Sequence, residues 1–164
     1  MKYVLLVFIM FFNSCSYKHN NLYVGDKKTT EQSVANTKKS QIMQNHKVKI
    51  FITVTYLDFI NNQKIVDKTK EQFVVGFHFV NFGTKEVERD LSAKDIKFTI
   101  GSKTTLVDVI KLKPKSPILQ IIPASNPWSQ YFLVQTPKIE KNLIKFTLKI
   151  PPYKKISLEF KKNY

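Results

Sequence analysis

Hydrophobic and polar residues alternate along most of the chain after residue 46, with the period of two that is typical of β-strands. In residues 47–57 apolar side chains share one face of such a strand, and Phe51 is the exception on the other face. The apolar positions on the shared face are Val48, Ile50, Ile52, Val54 and Tyr56. Residues 72–82 are apolar on both faces, which indicates a strand in the middle of a sheet, and Gly76 leaves room for a bulge or a close neighbour.

Six further short segments repeat this theme and are separated by glycine, proline and other turn residues. These segments are residues 95–100, 103–112, 116–123, 129–136, 143–150 and 154–160. About eight short strands with turn signals between them predict an all-β fold of two packed sheets. A sandwich is favoured over a closed barrel because barrel corners usually need glycine, and the chain has only four glycines.

The first residues carry a different pattern, in which Lys2 is followed by an unbroken apolar run at residues 4–12. A run of this length is too short to cross a bilayer, which needs about 20 residues of helix. It has the length of the apolar core of a signal peptide. Cys15, the only cysteine of the chain, follows directly after Asn13 and Ser14. An ordinary secretory signal, or a short buried helix of a cytoplasmic domain, would also account for the run.

Residues 12–15, FNSC, resemble the lipobox of exported bacterial lipoproteins, although Phe12 and Asn13 replace the usual leucine and small residue. In that family the cysteine thiol receives a diacylglyceryl group, the chain is cut before the cysteine, and the new amino terminus is acylated. The resemblance implies that residues 1–14 are a cleaved signal peptide and that Cys15 is the lipid anchor. Ser16 is not the aspartate that retains lipoproteins in the inner membrane, so the resemblance implies the outer membrane.

Residues between the cysteine and His46 are mostly lysine, asparagine, threonine, serine and glutamine, without a sustained hydrophobic period. Such a segment buries too little apolar surface to offset the entropy lost on ordering. We therefore predict that residues 15–46 form the lipidated cysteine and a flexible tether, in which residues 29–39 could form one or two turns of helix, and that residues 47–164 form the sandwich domain.

The chain is strongly basic, with 27 Lys and Arg against 12 Asp and Glu, and Arg89 is its only arginine. Specific nucleic-acid binding favours the guanidinium fork of arginine, so this composition argues against nucleic acid as a partner. The charge predicts loose attraction to anionic lipid headgroups, envelope polysaccharide or an acidic protein face. A solvated lysine-rich surface that only keeps the protein soluble is the other interpretation.

Catalytic and metal-binding patterns are not found in the sequence. His19, His46 and His78 do not stand at metal-ligand spacings, and we expect His78 to be half-buried and hydrogen-bonded. The acidic residues in the middle of the chain lack the spacing of a calcium loop, and we expect a charged hairpin there. These residues are Glu86, Glu88, Asp90 and Asp95. We therefore predict a protein that is not an enzyme and has no cofactor or metal beyond the lipid on Cys15.

One loop carries the candidate partner surface, which consists of Pro127, Trp128 and Tyr131. Tryptophan and tyrosine are favoured anchors at interfaces. The alternative, which the sequence favours, is that Trp128 plugs the end of the core. Lysines in two turns are candidates for a basic rim, or for protection of sheet edges. They are Lys111, Lys113, Lys115, Lys154 and Lys155.

Residues 75–100 and 131–150 resemble the immunoglobulin-like domains of small bacterial envelope lipoproteins. The matching positions, all structural, are Asn81, Lys85, Asp95, Pro137 and Lys138. The resemblance implies an immunoglobulin-like sandwich and says little about function, because such sandwiches have many roles.

These observations together predict a non-catalytic binding or scaffolding module of the cell envelope, anchored in the membrane by lipid and in contact with an envelope protein. A surface-exposed adhesin or host-interacting lipoprotein, an accessory subunit of a secretion or assembly machine, and an envelope hydrolase are the alternatives.

Overall fold

The computed structural model describes residues 27–61, 65–80, 91–101, 107–123 and 125–162. This part of the chain contains one α-helix and eight β-strands. They are α1 (Lys27–Ala35), β1 (Thr37–Gln44), β2 (Lys47–Tyr56), β3 (Lys70–Phe79), β4 (Lys97–Ile100), β5 (Asp108–Lys111), β6 (Gln130–Pro137), β7 (Leu143–Lys149) and β8 (Ile156–Lys161). Two short 3₁₀ turns, Ala93–Asp95 and Pro117–Gln120, lie between strands.

The strands form two antiparallel sheets, one with the order β1-β2-β3-β6-β5 and one with the order β4-β7-β8. Apolar side chains of both sheets pack into one buried cluster, so the sheets form a sandwich. The predicted all-β sandwich is confirmed. The immunoglobulin-like assignment stays a prediction.

Aromatic side chains fill the centre of this core. Phe73 on β3 has its ring centroid 4.8 Å from that of Tyr56 on β2 and 4.9 Å from that of Phe146 on β7. Phe160 on β8 lies 5.4 Å from Phe73 and closes the group. These contacts join the sheets through side chains at alternate positions, as the period of two predicts.

A second apolar cluster covers the outer face of the five-stranded sheet, where Val74 of β3 and Tyr131 of β6 meet residues 57–60, 65–66 and 112–122. This cover explains why β3, the middle strand of its sheet, is apolar on both faces. The strand predicted at residues 116–123 is wrong, because Pro117 begins a 3₁₀ turn that buries Ile118 and Leu119 in this cluster.

The predicted tether is wrong for residues 27–46, and the sandwich begins before residue 47. These residues form α1 and β1, while residues 15–26 lie outside the described residues. The Thr37 hydroxyl donates to the carbonyl of Ser33 at 2.7 Å and lies 2.7 Å from the Thr55 hydroxyl, which ties the helix end to β2. β1 looks polar in sequence because it is an edge strand in which only Ile42 is fully buried.

The turn between β1 and β2 consists of two residues, Asn45 and His46, with φ angles of 51° and 60°. Gln44 and Lys47 pair directly across it. Positive φ at both turn positions is typical of a type I′ hairpin. Asparagine and histidine occur at positive φ more often than most residues, but the Cβ atom still has a steric cost there that glycine avoids.

Candidate partner surface

Trp128 lies at the tip of the loop before β6, with 77% of its surface exposed. Its backbone N–H donates to Oδ1 of Asn126 at 3.1 Å, and the Asn126 N–H donates to the hydroxyl of Tyr131 at 2.9 Å. The loop is therefore held by its own hydrogen bonds while the indole and the neighbouring Pro127 face solvent. The expectation that Trp128 plugs the core is wrong.

Tyr131 does not belong to the exposed surface, because only 6% of it is accessible. Its ring lies against Gly76, its cross-strand partner on β3. A Cβ atom at position 76 would stand 2.6 Å from Cε1 of Tyr131 and 2.6 Å from Oγ1 of Thr53. The absence of a side chain at Gly76 therefore allows Tyr131 to pack closely, as the sequence suggests. The Tyr131 hydroxyl in turn holds the Trp128 loop through the Asn126 N–H.

The pairing of strands brings the two predicted lysine groups to the same end of the sandwich as Trp128. β5 ends at Lys111 opposite Phe132, and the Lys111 ammonium reaches the carbonyl of Leu91 at 3.5 Å. The Leu91 N–H donates to Oε1 of Gln130, where β6 begins. The chain then leads into β4, whose first residue pairs with Lys149 just before the turn at residues 150–155.

We call this region the Trp128 end and define it as residues 45–49, 91–97, 111–116, 125–129 and 149–155. Its lysines are Lys47, Lys49, Lys94, Lys97, Lys111, Lys113, Lys115, Lys149, Lys154 and Lys155. Its only carboxylate is Asp95, which accepts the Ser92 N–H in a capping box. Residues 81–90, which follow β3, lie outside the described residues; their sequence contributes three carboxylates and two basic residues.

The opposite end of the sandwich has a more even balance of charge. We call it the Glu71 end and define it as residues 57–61, 65–71, 137–142 and 161–162. Four carboxylates lie there among six lysines. They are Asp58, Asp67, Glu71 and Glu140, with Lys68, Lys70, Lys138, Lys141, Lys161 and Lys162. The positive charge of the described residues is therefore concentrated at the Trp128 end.

Further apolar side chains are exposed near this end, on the outer face of the five-stranded sheet, and they include Ile110 at 50%. Met43 is 53% exposed and Phe51 is 46% exposed. The Phe51 ring stacks on His78 of β3 with 6.5 Å between centroids. Phe51 is the residue that breaks the alternation of β2, so the sequence did carry a signal for this exposed aromatic side chain.

His78 is half-buried, as predicted. The predicted hydrogen bond is not found for Nδ1, which is buried and has no hydrogen-bond partner among the described residues. The ring instead packs against Phe51 in the sheet.

A buried carboxylate, which the sequence analysis missed, occupies the Glu71 end. Glu71 is inaccessible to solvent, and its Oε1 accepts from Lys162 at 2.6 Å and from the Ile139 N–H at 3.0 Å. Its Oε2 accepts from the Tyr56 hydroxyl at 2.5 Å and lies 3.6 Å from the ammonium of Lys138. Lys138 also pairs with Asp58 at 3.4 Å.

Burial alone would raise the pKa of Glu71. Hydrogen bonds from Lys162, Tyr56 and the Ile139 amide, together with the charge of Lys138, outweigh burial and hold the pKa of Glu71 below its ordinary value. Perturbed carboxyl groups often mark active sites. Here both oxygens already have their partners and the group is sealed from solvent, which is the arrangement of a structural ion pair.

A shallow cleft separates α1 from residues 120–123 and is lined by Thr29, Thr30 and Ser33 on the helix side. The Ser33 hydroxyl is buried and has no partner in the described part of the chain. The cleft volume of about 70 Å³ is enough to hold ordered water. Pockets for larger ligands are typically several times bigger.

The remaining predicted residues are placed as follows. Asp95 caps a 3₁₀ turn, Pro137 ends β6, and Lys138 pairs with Glu71 and Asp58, so all three have structural positions. The other predicted positions lie outside the described residues. They are Cys15, His19, Asn81, Lys85, Glu86, Glu88 and Asp90.

Within the described ranges, no group of three His, Cys, Asp or Glu side chains is arranged to hold a metal ion. Among the described residues, no helix is long and apolar enough to cross a membrane. Comparison of the chain with protein-family models, with curated proteins and with solved structures finds no match.

Proposed function

We propose that this protein is a lipid-anchored protein of the bacterial cell envelope, and that its β-sandwich is a non-catalytic binding module. The observation that carries the proposal is the order of features at the amino terminus: Lys2, the apolar run at residues 4–12, Ser14, and then Cys15 as the only cysteine. This order is that of a lipoprotein signal, with the small residue placed directly before the cleavage point.

The energetics of the anchor support lasting attachment to a membrane. Each buried methylene contributes about 0.8 kcal/mol, and a single acyl chain anchors a protein only marginally. The diacylglyceryl group on Cys15 and an additional amino-terminal acyl chain would together hold the protein firmly. Ser16 favours delivery to the outer membrane, by the sorting pattern of the family that residues 12–15 resemble.

Binding is favoured over catalysis by the distribution of polar groups in the described residues. The carboxylate with the shifted pKa, Glu71, is sealed from solvent and fully engaged by its partners. Trp128, in contrast, is exposed to solvent, and it is an amphipathic side chain of the kind that anchors contacts with other molecules.

The first test is Cys15→Ala in the producing bacterium, with Ser16→Ala as a neighbouring control that keeps the thiol. We expect Cys15→Ala to abolish labelling by radioactive palmitate and to release the protein from sedimented membranes, whereas Ser16→Ala keeps both properties. Separation of inner and outer membranes then locates the anchored protein. Membrane retention and labelling that are unchanged in Cys15→Ala contradict the proposal.

The binding role is tested by crosslinking in intact cells, followed by purification of the lipidated protein and mass spectrometry of what is attached. Protease treatment of the same intact cells distinguishes a surface-exposed module, which is cleaved, from one that faces the periplasm. A chain with hydrolytic activity on envelope substrates, and with nothing attached in the crosslinking experiment, would contradict a binding module.

A further inference from the structure

We infer that the Trp128 end of the sandwich docks on the anionic lipid headgroups of the membrane in which the chain is anchored. The inference rests on the proposed lipid anchor at Cys15, and it names the surface and the chemistry of the binding role. Two independent properties of the described residues lead to it, the distribution of charge and the position of the exposed apolar side chains.

Charge is the first property. The Trp128 end has ten lysines and one capped carboxylate in its described residues, and these lysines come from both sheets. A lysine near an anionic bilayer contributes on the order of 1 kcal/mol of attraction, so even a few of them in contact give appreciable binding. Headgroups are laterally mobile point charges, and they do not require the fixed fork that arginine provides.

Position of the apolar groups is the second property. Trp128 projects from a loop tip with 77% of its surface exposed, next to the exposed Pro127. Tryptophan is favoured at the level of lipid headgroups, because its ring is largely apolar and its N–H can still donate a hydrogen bond. The aliphatic stems of the lysines at this end can lie along the apolar boundary while their ammonium groups stay in water.

A lipid surface fits this end better than an acidic protein does. Protein interfaces are depleted of lysine relative to the rest of the surface, and their anchoring side chains sit in packed pockets. Here the exposed tryptophan lies on a loop at the same end of the sandwich as the lysine-bearing turns. This combination of a protruding aromatic residue and distributed positive charge is typical of contact with an anionic membrane.

The length of chain before α1 keeps the whole domain within reach of the bilayer, and α1 itself ends at the Glu71 end, where the Asn36 carbonyl accepts the Tyr56 N–H. Eleven residues separate Cys15 from Lys27, where α1 begins, and at roughly 3.3–3.6 Å per residue they allow at most about 40 Å between the anchor and the helix. Anchoring therefore holds the domain at a high effective concentration beside the headgroups, so that a weak attraction suffices for docking.

Trp128 is the only tryptophan, so its fluorescence reports on this site alone. The full-length lipidated protein is reconstituted in vesicles of phosphatidylcholine, and in vesicles of phosphatidylcholine mixed with phosphatidylglycerol. We expect Trp128 emission to move to shorter wavelength, and to be quenched by brominated acyl chains, only in the anionic vesicles. Added salt should reverse both changes, because it screens exposed charges.

Matched charge variants locate the contact. Lys154→Gln with Lys155→Gln removes two exposed lysines of the Trp128 end, and Lys141→Gln with Lys161→Gln removes two exposed lysines of the Glu71 end. We expect the first pair to lower the ratio of docked to undocked protein about fivefold per lysine. The second pair should leave this ratio nearly unchanged. Equal effects of the two pairs would overturn the assignment to the Trp128 end.

Other outcomes also decide the inference. Trp128 emission that is the same in neutral and anionic vesicles overturns it. Crosslinking of Lys154 or Lys155 to an acidic protein in intact cells, with emission unmoved by anionic vesicles, assigns this end to a protein partner and likewise overturns it. Mass spectrometry of the purified chain reports on lipidation separately. A chain without lipid on Cys15 would contradict the anchor, and the same vesicles mixed with that chain would still test the docking surface.

Discussion

The ammonium of Lys162 lies 2.6 Å from Oε1 of Glu71, and Glu71 is inaccessible to solvent. The pair joins the end of β8 in one sheet to the beginning of β3 in the other. Because the Lys162 ammonium also donates to the carbonyl of Ile139, the same lysine holds the loop between β6 and β7. One carboxylate therefore fixes three segments at the Glu71 end of the sandwich.

Replacing the buried carboxylate should destabilise the fold strongly. Glu71→Gln keeps the size of the side chain but leaves the largely buried Lys162 ammonium without its counter-charge. Loss of one member of a buried pair typically costs about 3–5 kcal/mol. We expect the free energy of unfolding in urea to fall by roughly 3 kcal/mol. Glu140→Gln, an exposed position in the same region, is the control and should change it by less than about 0.5 kcal/mol. Similar values for the two variants would contradict a stabilising role for Glu71.

Stability should also depend on pH through the same group. The pKa of Glu71 is lower in the folded protein than its ordinary value of 4.5, so folding favours the ionised form. The resulting stabilisation is fully present above pH 4.5 and is lost as the pH falls through the lower pKa of the folded state. We expect thermal unfolding midpoints measured in acid to fall more steeply for the wild type than for Glu71→Gln. Parallel curves for the two proteins would show that Glu71 does not contribute.

Gly76 is required by the close approach of Tyr131. In Gly76→Ala the new Cβ would stand 2.6 Å from Cε1 of Tyr131 and 2.6 Å from Oγ1 of Thr53, so the sheet or the ring must move. Overpacking of this kind costs about 1–3 kcal/mol. The matched test is a double-mutant cycle with Tyr131→Ala, because removal of the ring makes room for the methyl group. We expect a smaller loss from Gly76→Ala in the Tyr131→Ala background, and strictly additive losses would refute the contact.

His46→Gly should stabilise the protein. His46 has a φ of 60° in the two-residue turn, and glycine adopts this conformation without the steric cost that a Cβ imposes. Part of the gain is offset by the greater freedom of glycine in the unfolded chain, so we expect a net gain of about 0.5–1 kcal/mol in urea unfolding. Asn45→Gly is the comparison and should gain less, because the short side chain of asparagine can hydrogen-bond locally in this conformation. A loss of stability in His46→Gly would contradict the strain.

The sequence predicts most of the strands, but it fails for two segments whose local pattern differs from their role in the fold. Seven of the eight predicted segments contain strands, because each has one or two faces in a core. Residues 116–123 are apolar without belonging to a sheet, since they cover its outer face as a 3₁₀ turn. β1 is polar and still a strand, because its edge position leaves most of its side chains in solvent.

The candidate surface is predicted in part. Trp128 and the lysine turns can be singled out from sequence, because a lone tryptophan and clusters of one charge are visible there. The sequence does not show that Tyr131 is buried while Trp128 is exposed, because the burial of Tyr131 follows from its pairing with Gly76. The Glu71 group escapes sequence reasoning altogether. Its partner Ile139 is 68 positions away, and no local pattern reports such a contact.

The pairing of Glu71 with Lys162 has a consequence for the folding of the chain. Synthesis runs from the amino terminus, so the carboxylate of β3 is made long before the lysine that neutralises it, and Lys138 and Ile139 also come later. A carboxylate cannot be buried at low cost while its counter-charges are missing. Burial of the Glu71 carboxylate is therefore less favourable in a partial chain that lacks Lys138 and Lys162 than in the chain that contains them. The ion pair thus couples the burial of the start of β3 to the presence of the segment that follows β8.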